Sequence, residues 1–390
     1  MSREVERVWP GDPGAMGGRR ARAPFRYRAF VPDPIAGIEP AVPFETADLA
    51  ADAETAIRRL NERASVTGLE AVGPLLLRSE AVASSRIEGY DASPLNLARA
   101  LVDPRAARGS ARTVAANVSA MEEAIAIGGR DGRITIEDLT AIHATLMAGD
   151  ATAMPGQVRT QQNWIGGGLG NPSDAHYIPP PEDELPALVD DLVAFLNRED
   201  LPAVAQAAIA HAQFETIHPF ADGNGRTGRA LVQALLRGKG LIRNATAPIS
   251  AGLLRDTDSY FEALTRFRDG DAAAIVERFS SAARYASASG KKLVDDLAQE
   301  QQRSRELLGS LRAQAGAWQV LPHLIAQPVI NTAYLQSELG MNAMSAGRAL
   351  GQLTDAGVLT ESTGLRRNRV WQQQEVLGIL DDYAESIRRG

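Results

Sequence analysis

With 390 residues, 44% hydrophobic and 23% charged, the chain has the balance of a soluble globular protein and the length for two or three cores. A net charge of −7 argues against a chain coated in nucleic acid, and the absence of cysteine excludes disulfides, thiolate nucleophiles and thiolate metal ligands. No apolar run reaches transmembrane length and the charged, Pro/Gly-bearing residues 1–30 do not read as a signal peptide, so a cytoplasmic protein with no membrane partner is expected.

In chain order, residues 1–27 are rich in Gly, Pro and Arg and read as a flexible arm. "FVPDPIAGIEPAVP" (30–43) holds too much proline for a helix. Helical periodicity then covers 48–61, 69–87, 111–127, 136–147, 185–196, 202–217, 226–238, 257–267 and 271–287. Between them, 158–179, "VRTQQNWIGGGLGNPSDAHYI", reads as two short extended pieces around a Gly/Asn-Pro loop, a hairpin. Residues 290–315 read as a charged helical connector. The C-terminal 316–390 reads as helix (332–339), a turn at Gly340, helix (343–356), and two strands around a Gly turn, similar to a winged helix-turn-helix. The fold class is therefore mainly α. Its expected parts are an N-terminal helical region at 28–110, a helical core at 111–289 with a small β-hairpin, and the C-terminal module.

One stretch concentrates chemistry: "HPFADGNGRTGR", 218–229. Gly223, Gly225 and Gly228 spell G-x-G-x-x-G, but the preceding segment is helical and no acid follows until Asp256, so it fails as a dinucleotide fingerprint. What remains is a loop opening a helix. A helix N-terminus exposes unpaired N–H groups and partial positive charge, and Gly223 and Gly225 let a ligand reach the backbone. Arg226 and Arg229 occupy one face of the first turn, against the helix dipole, so they serve either an anionic partner or structural carboxylates. Asp222 is the single carboxylate beside this anion site, which with substrate phosphates is a common way to hold Mg²⁺. His218 is either a capping residue or a base for a hydroxyl proton. His143, His176, His211 and His323 lack such company and read as structural.

The stretch resembles the signature of the Fic family, H-P-F-x-[D/E]-G-N-G-R-x-x-R, at every specified position. The resemblance extends over residues 28–287 and takes in the hairpin, similar to the family's substrate-clamping flap, with Trp164 and Ile165 as candidates for holding an extended target. It implies a protein adenylyltransferase that moves AMP from ATP to a Ser, Thr or Tyr hydroxyl of a protein target or of itself. His218 would be the general base and Asp222 would hold Mg²⁺. Gly223, Asn224 and Gly225 would form the anion hole, Arg226 would contact phosphate and Arg229 the γ-phosphate. Gly228 falls at an unspecified position of the signature.

"SSRIEG" (84–89) resembles the family's inhibitory pattern, with Ser84, Glu88 and Gly89. Ser84 and Glu88 are four apart, on one helix face, and Gly89 suits a left-handed helix end. The resemblance implies that Glu88 pairs with Arg229, occupying the fork the γ-phosphate needs and leaving the enzyme autoinhibited. The alternatives are a DNA-bound regulator with a nucleotide-sensing pocket, or an enzyme acting to remove AMP. For the C-terminal module, Arg366, Arg367 and Arg369 would favour DNA, while the near-uncharged helix 343–356 favours protein contact or support of a homodimer.

Overall fold

The computed structural model describes residues 2–11, 22–66, 72–105, 107–130, 132–167, 171–243, 245–362 and 369–388. In chain order these form β1 (Arg3–Trp9), β2 (Phe25–Val31), α1 (Phe44–Val66), α2 (Val72–Ile87), α3 (Pro94–Val102), α4 (Gly109–Gly128), α5 (Ile136–Met147), α6 (Leu185–Leu196), α7 (Ala203–Ile217) and α8 (Asn224–Gly238). There follow α9 (Ile249–Leu254), α10 (Thr257–Arg268), α11 (Ala272–Leu307), α12 (Gly316–Val320), α13 (His323–Ala326), β3 (Val329–Asn331), α14 (Thr332–Leu339), α15 (Ala343–Asp355), β4 (Thr360–Glu361), β5 (Val370–Gln372) and α16 (Gln374–Ser386). The fold is mainly helical with small sheets, as the periodicity implied.

Two compact units divide the chain. The first comprises Met1–Ala50, Glu123–Gly238 and Asp258–Arg278; the second comprises Ala51–Glu122, Lys239–Thr257 and Phe279–Gly390. Both are discontinuous, whereas the sequence reading placed its parts end to end.

In the first unit the chain start is not an arm throughout. Residues 3–9 form β1, antiparallel to β2 with Arg3 opposite Val31 and Trp9 opposite Phe25. Opposite charges stitch the ribbon: Arg26 meets Glu6 at 2.5 Å and Arg28 meets Glu4 at 3.0 Å, the kind of cross-strand pair that favours pairing. Those arginines belong to the basic cluster of 17–28, which here faces carboxylates of its own chain; residues 17–21 lie outside the described residues. β1 is tied further by Arg7 to Asp183 (2.9 Å) and Arg3 to Glu184 (2.6 Å). α5 starts on a capping box, with Thr135 and Asp138 satisfying each other's backbone N–H. Every residue of α7 except Glu215 is buried, which its Ala-rich, apolar surface permits on all faces. α8 packs on α7 and α5. The expected hairpin is reduced among the described residues to one antiparallel bridge, Ile165 with Tyr177; residues 168–170 lie outside them.

In the second unit α2 ends in a full Schellman arrangement. Tyr90 N–H donates to Ser85 O (2.9 Å), Gly89 N–H to Arg86 O (2.9 Å), and Gly89 takes φ 81°. The buried Glu80 carboxylate accepts from Ser250 N–H (2.8 Å) and hydroxyl (2.6 Å), tying α9 to α2. The helix expected at 271–287 and the connector as far as Leu307 are one 36-residue helix, α11; residues 308–315 lie beyond its end. Gly290 does not break it: the position a Cβ would take lies 3.3 Å from Leu60 Cδ2, so the glycine marks close packing. Toward the C-terminus, Asn331 caps α14, Gly340 (φ 62°) ends it and Asn342 caps α15. β4 and β5 follow, and β3, which the sequence reading did not anticipate, completes a sheet of order β3-β5-β4. Leu335, Ala349, Leu350, Leu353 and Trp371 bury its core.

Candidate active site

The site is built where α7 stops and α8 starts. Pro219 forbids continuation of α7, and His218, its C-cap, sits in the left-handed region (φ 50°, ψ 60°), which few side chains other than glycine adopt. Two bonds fix it there. His218 N–H donates to Phe214 O (2.8 Å), and His218 O accepts from Arg159 Nε (2.9 Å). The imidazole is partly exposed, with Nδ1 3.8 Å from Glu215 Oε2, within reach of an ion pair once the ring is protonated.

Asn224 locks the loop behind it. Its amide oxygen accepts from Phe220 N–H (2.9 Å) and its amide nitrogen donates to Phe220 O (2.8 Å). The side chain is thus spent on shaping the turn, which accounts for its burial. Gly223 has φ 76°, and a Cβ there would lie 2.9 Å from Met147 Sδ, so both backbone and space demand glycine. Gly228, at an unspecified position of the signature, is also constrained: a Cβ would lie 2.9 Å from Phe214 Cδ1 and 3.0 Å from His211 Nδ1. It lets α8 approach α7.

Arg226 and Arg229 lie buried in the first and second turns of α8, whose first turn carries no acidic residue. Arg226 Nη2 reaches Met147 Sδ at 3.7 Å. Asp222 is exposed, and its Oδ1 accepts from Gly223 N–H (2.6 Å). No cluster of three or more His, Asp or Glu suited to a metal occurs among the described residues. A lone exposed carboxylate beside a helix N-terminus nevertheless fits Mg²⁺, which takes one or two carboxylates and fills its remaining positions with phosphate oxygens and water.

Several residues that sequence reasoning set aside turn out to build this loop. His143 is not merely a packing residue: its Nε2–H donates to Asp222 O (3.0 Å), its Nδ1 accepts from Gly156 N–H (3.0 Å), and its ring stacks on Phe220 at 3.9 Å. Those partners admit only the neutral Nε2–H tautomer, and burial accordingly lowers its pKa. His211 contacts Tyr260 OH (2.7 Å); burial, reinforced by Arg229, lowers its pKa to about 3. Arg159, 2% exposed, spreads its guanidinium over backbone carbonyls: His218 O, Gln161 O (3.0 Å) and Pro180 O (2.6 Å). Burial brings its pKa down to about 10, so it stays cationic at neutral pH. Asn163 adds a bond to Phe220 O (3.0 Å), and Tyr177 OH one to Thr216 O (2.8 Å). The flap is thereby fastened to the His218 loop from both of its arms. Ile165 is exposed, as a target-holding residue must be, whereas Trp164 packs edge-on against Trp9 at 5.5 Å, which favours a role in holding the flap down.

Residues 133–236 match the model of the Fic/DOC family. Residues 47–126 match the Fic/DOC family N-terminal model, so the two matches cover both the loop and the α2 motif. A probable protein adenylyltransferase of Aquifex aeolicus is 37% identical over 107 residues, 27% of this chain and 31% of the relative. A protein adenylyltransferase Fic of Culex quinquefasciatus is 36% identical over 106 residues, 26% of this chain and 19% of the relative. The matched stretch thus spans a third or less of these curated relatives. The fold resembles that of a Fic family protein from Desulfovibrio desulfuricans G20, with TM-score 0.52 at 21% identity over 86% of this chain and 98% of that one.

Within the Fic/DOC match, His218, Asp222, Gly223, Asn224, Gly225, Arg226 and Arg229 are brought to one loop and the first two turns of one helix in the first unit. Ser84, Glu88 and Gly89 lie at the end of α2 in the second unit, Ser84 buried and Glu88 exposed.

Proposed function

We propose that this site transfers AMP from ATP to a hydroxyl of a protein Ser, Thr or Tyr, releasing pyrophosphate. The observation that carries the reading is the pairing of two features across one short turn. A histidine is held in a left-handed cap at the end of α7, and a helix N-terminus with two buried arginines and no acid lies just beyond it. The first feature suits proton removal and the second suits a polyphosphate.

His218 takes the hydroxyl proton as the oxygen attacks the α-phosphorus. The bond between that phosphorus and the bridging oxygen breaks, and the electron pair leaves with pyrophosphate. Glu215, 3.8 Å from Nδ1, stabilises the imidazolium that results. The N–H groups of Asn224 and Gly225, the Gly223 N–H once it leaves Asp222 Oδ1, and the dipole of α8 serve the phosphates. Arg226 and Arg229 neutralise their charge, Arg229 taking the γ-phosphate. Asp222 is the residue that would hold Mg²⁺, which supplies charge neutralisation at the phosphates when bound. Asn224 and His143 keep the loop in shape, and the exposed Ile165 edge receives an extended target segment by main-chain bonding. The similarity to adenylyltransferases over 106–107 residues supports the reading.

Glu88 restrains the enzyme by pairing with Arg229. A carboxylate at the C-cap of α2 opposes that helix's dipole, just as a cation near the start of α8 opposes that helix's dipole, an effect strongest at Arg226 in the first turn and weaker at Arg229 in the second. Each mismatch costs roughly 0.3–1 kcal/mol, and the two have opposite sign, so each charge suits the other as partner. The C-terminal module is assigned to protein contact. Arg369 pairs with Glu361 and lies 4.8 Å from the Trp371 ring, so it is engaged within its own sheet; Arg366 and Arg367 lie outside the described residues.

Labelled AMP incorporation into protein tests both parts. Glu88→Gly should raise incorporation from α-labelled ATP well above wild type, and adding His218→Ala should abolish it. No rise with Glu88→Gly removes the restraint from the account; persistence of transfer with His218→Ala removes the base.

A further inference from the structure

A second cavity lies wholly within the second unit, away from the His218 loop in sequence. Its volume is about 50 Å³, opening onto solvent, and it is walled by α2, α3, the Ala326–Pro328 turn and α16. Leu75, Val82, Leu97, Leu101, Leu380 and Ile387 make it apolar. Into this wall the chain places one cation, Arg78.

Arg78 is poorly served by its own protein. One guanidinium nitrogen, Nη1, donates to Ala326 O. Nε is buried with no hydrogen-bond partner among the described residues, and no carboxylate comes within ion-pair distance of the guanidinium among them. Glu122 and the Tyr334 hydroxyl act on it only at longer range, and burial lowers its pKa while raising that of Glu122. Arg78 is half-buried; drawing a cation out of water without a bonded counter-charge is costly, and a guanidinium fork is shaped to take a carboxylate through two parallel N–H bonds. Ser79 offers no competing polar contact, since its hydroxyl donates to Leu75 O within α2 (3.1 Å). One cationic fork in a cleft whose lining is mostly apolar is the pattern of a site for an amphipathic anion.

We infer that this cavity binds an aliphatic carboxylate, its head on Arg78 and its body between α2, α3 and α16. Tyr383 also lines the cavity, its hydroxyl buried with no hydrogen-bond partner among the described residues. A phosphate-bearing ligand fits less well, because one guanidinium and one hydroxyl leave its remaining oxygens unmatched, whereas the two oxygens of a carboxylate are served by the fork. α2 is also the helix that runs into Glu88, so an occupant would bear on the segment assigned the restraint. That consequence rests on the proposed function; the binding itself does not.

Calorimetric titration of the full chain with sodium octanoate, 1-octanol and octylammonium chloride tests it. Octanoate should bind saturably, one per chain, at least about ten-fold tighter than octanol, the scale of a charge-assisted hydrogen bond, and octylammonium should not bind. Arg78→Met should lower octanoate affinity by about ten-fold or more while sparing octanol, and Ala384→Phe, which fills the mouth, should lose both. Absence of saturable octanoate binding, or equal binding of the three probes, overturns the inference. So does an Arg78→Met variant that binds octanoate as wild type does. Should that variant fail to fold, the ranking of the three probes on the wild-type chain decides alone.

Discussion

At the scale of the residue, the site depends on imidazoles with opposite duties. His218, the proposed base, is partly exposed, with Nδ1 3.8 Å from Glu215 Oε2. His143 and His211 are buried, bonded in their neutral forms, and both pKa values are lowered, His211 to about 3. An unfolded histidine titrates near ~6.5. Between the two values the unfolded chain binds protons that the fold refuses, so stability is fully present above ~6.5 and falls as pH drops below it, by up to about 1.4 kcal/mol per pH unit for each group. His211→Gln keeps a hydrogen-bonding partner for Tyr260 OH and removes the titration. Its melting temperature should decline less than that of wild type between about pH 7 and about pH 5. Parallel declines would show that His211 does not carry this pH dependence. The motif residues were legible because each has a chemical type that its position demands. His143 and Arg159 were not, since their partners are backbone carbonyls and a carbonyl leaves no mark on the sequence.

At the scale of the element, periodicity placed helices well where a cap or glycine agreed with it. The extents of α5 and α6 follow the pattern of apolar residues, and Gly89 and Gly340 end α2 and α14 in left-handed turns. It failed where composition misled. The Gly, Pro and Arg of 10–24 obscured the alternating charges of "REVERVW", whose partners are the arginines of β2. The charged composition of 290–315 suggested a separate connector where α11 runs on unbroken to Leu307, with Gly290 packed close to Leu60. The flap shows how an element without a ladder is held: one bridge, then Arg159, Asn163 and Tyr177 bonded to the backbone of 216–220. Arg159→Lys retains the charge but cannot span three carbonyls from one nitrogen. Hydrogen exchange should quicken over 160–180 and leave α5 and α8 protected, and kcat/KM for AMP transfer should fall by about ten-fold or more through misplacement of His218. Unchanged exchange in the flap would mean that Arg159 is not its anchor.

At the scale of the whole molecule, the matched Fic/DOC segments occupy 47–126 and 133–236, and the two ends of the proposed restraint fall in different units. His218 lies in the first unit and Glu88 in the second. The central claim is the bond that breaks. Glu88→Gly protein incubated with ATP labelled at either the α- or the γ-phosphate measures it directly. The account predicts protein-bound label from the α position only, with pyrophosphate released in equal amount and neither product formed by the His218→Ala double variant. Label retained from the γ position, or pyrophosphate-free hydrolysis to ADP with no protein label, would contradict it.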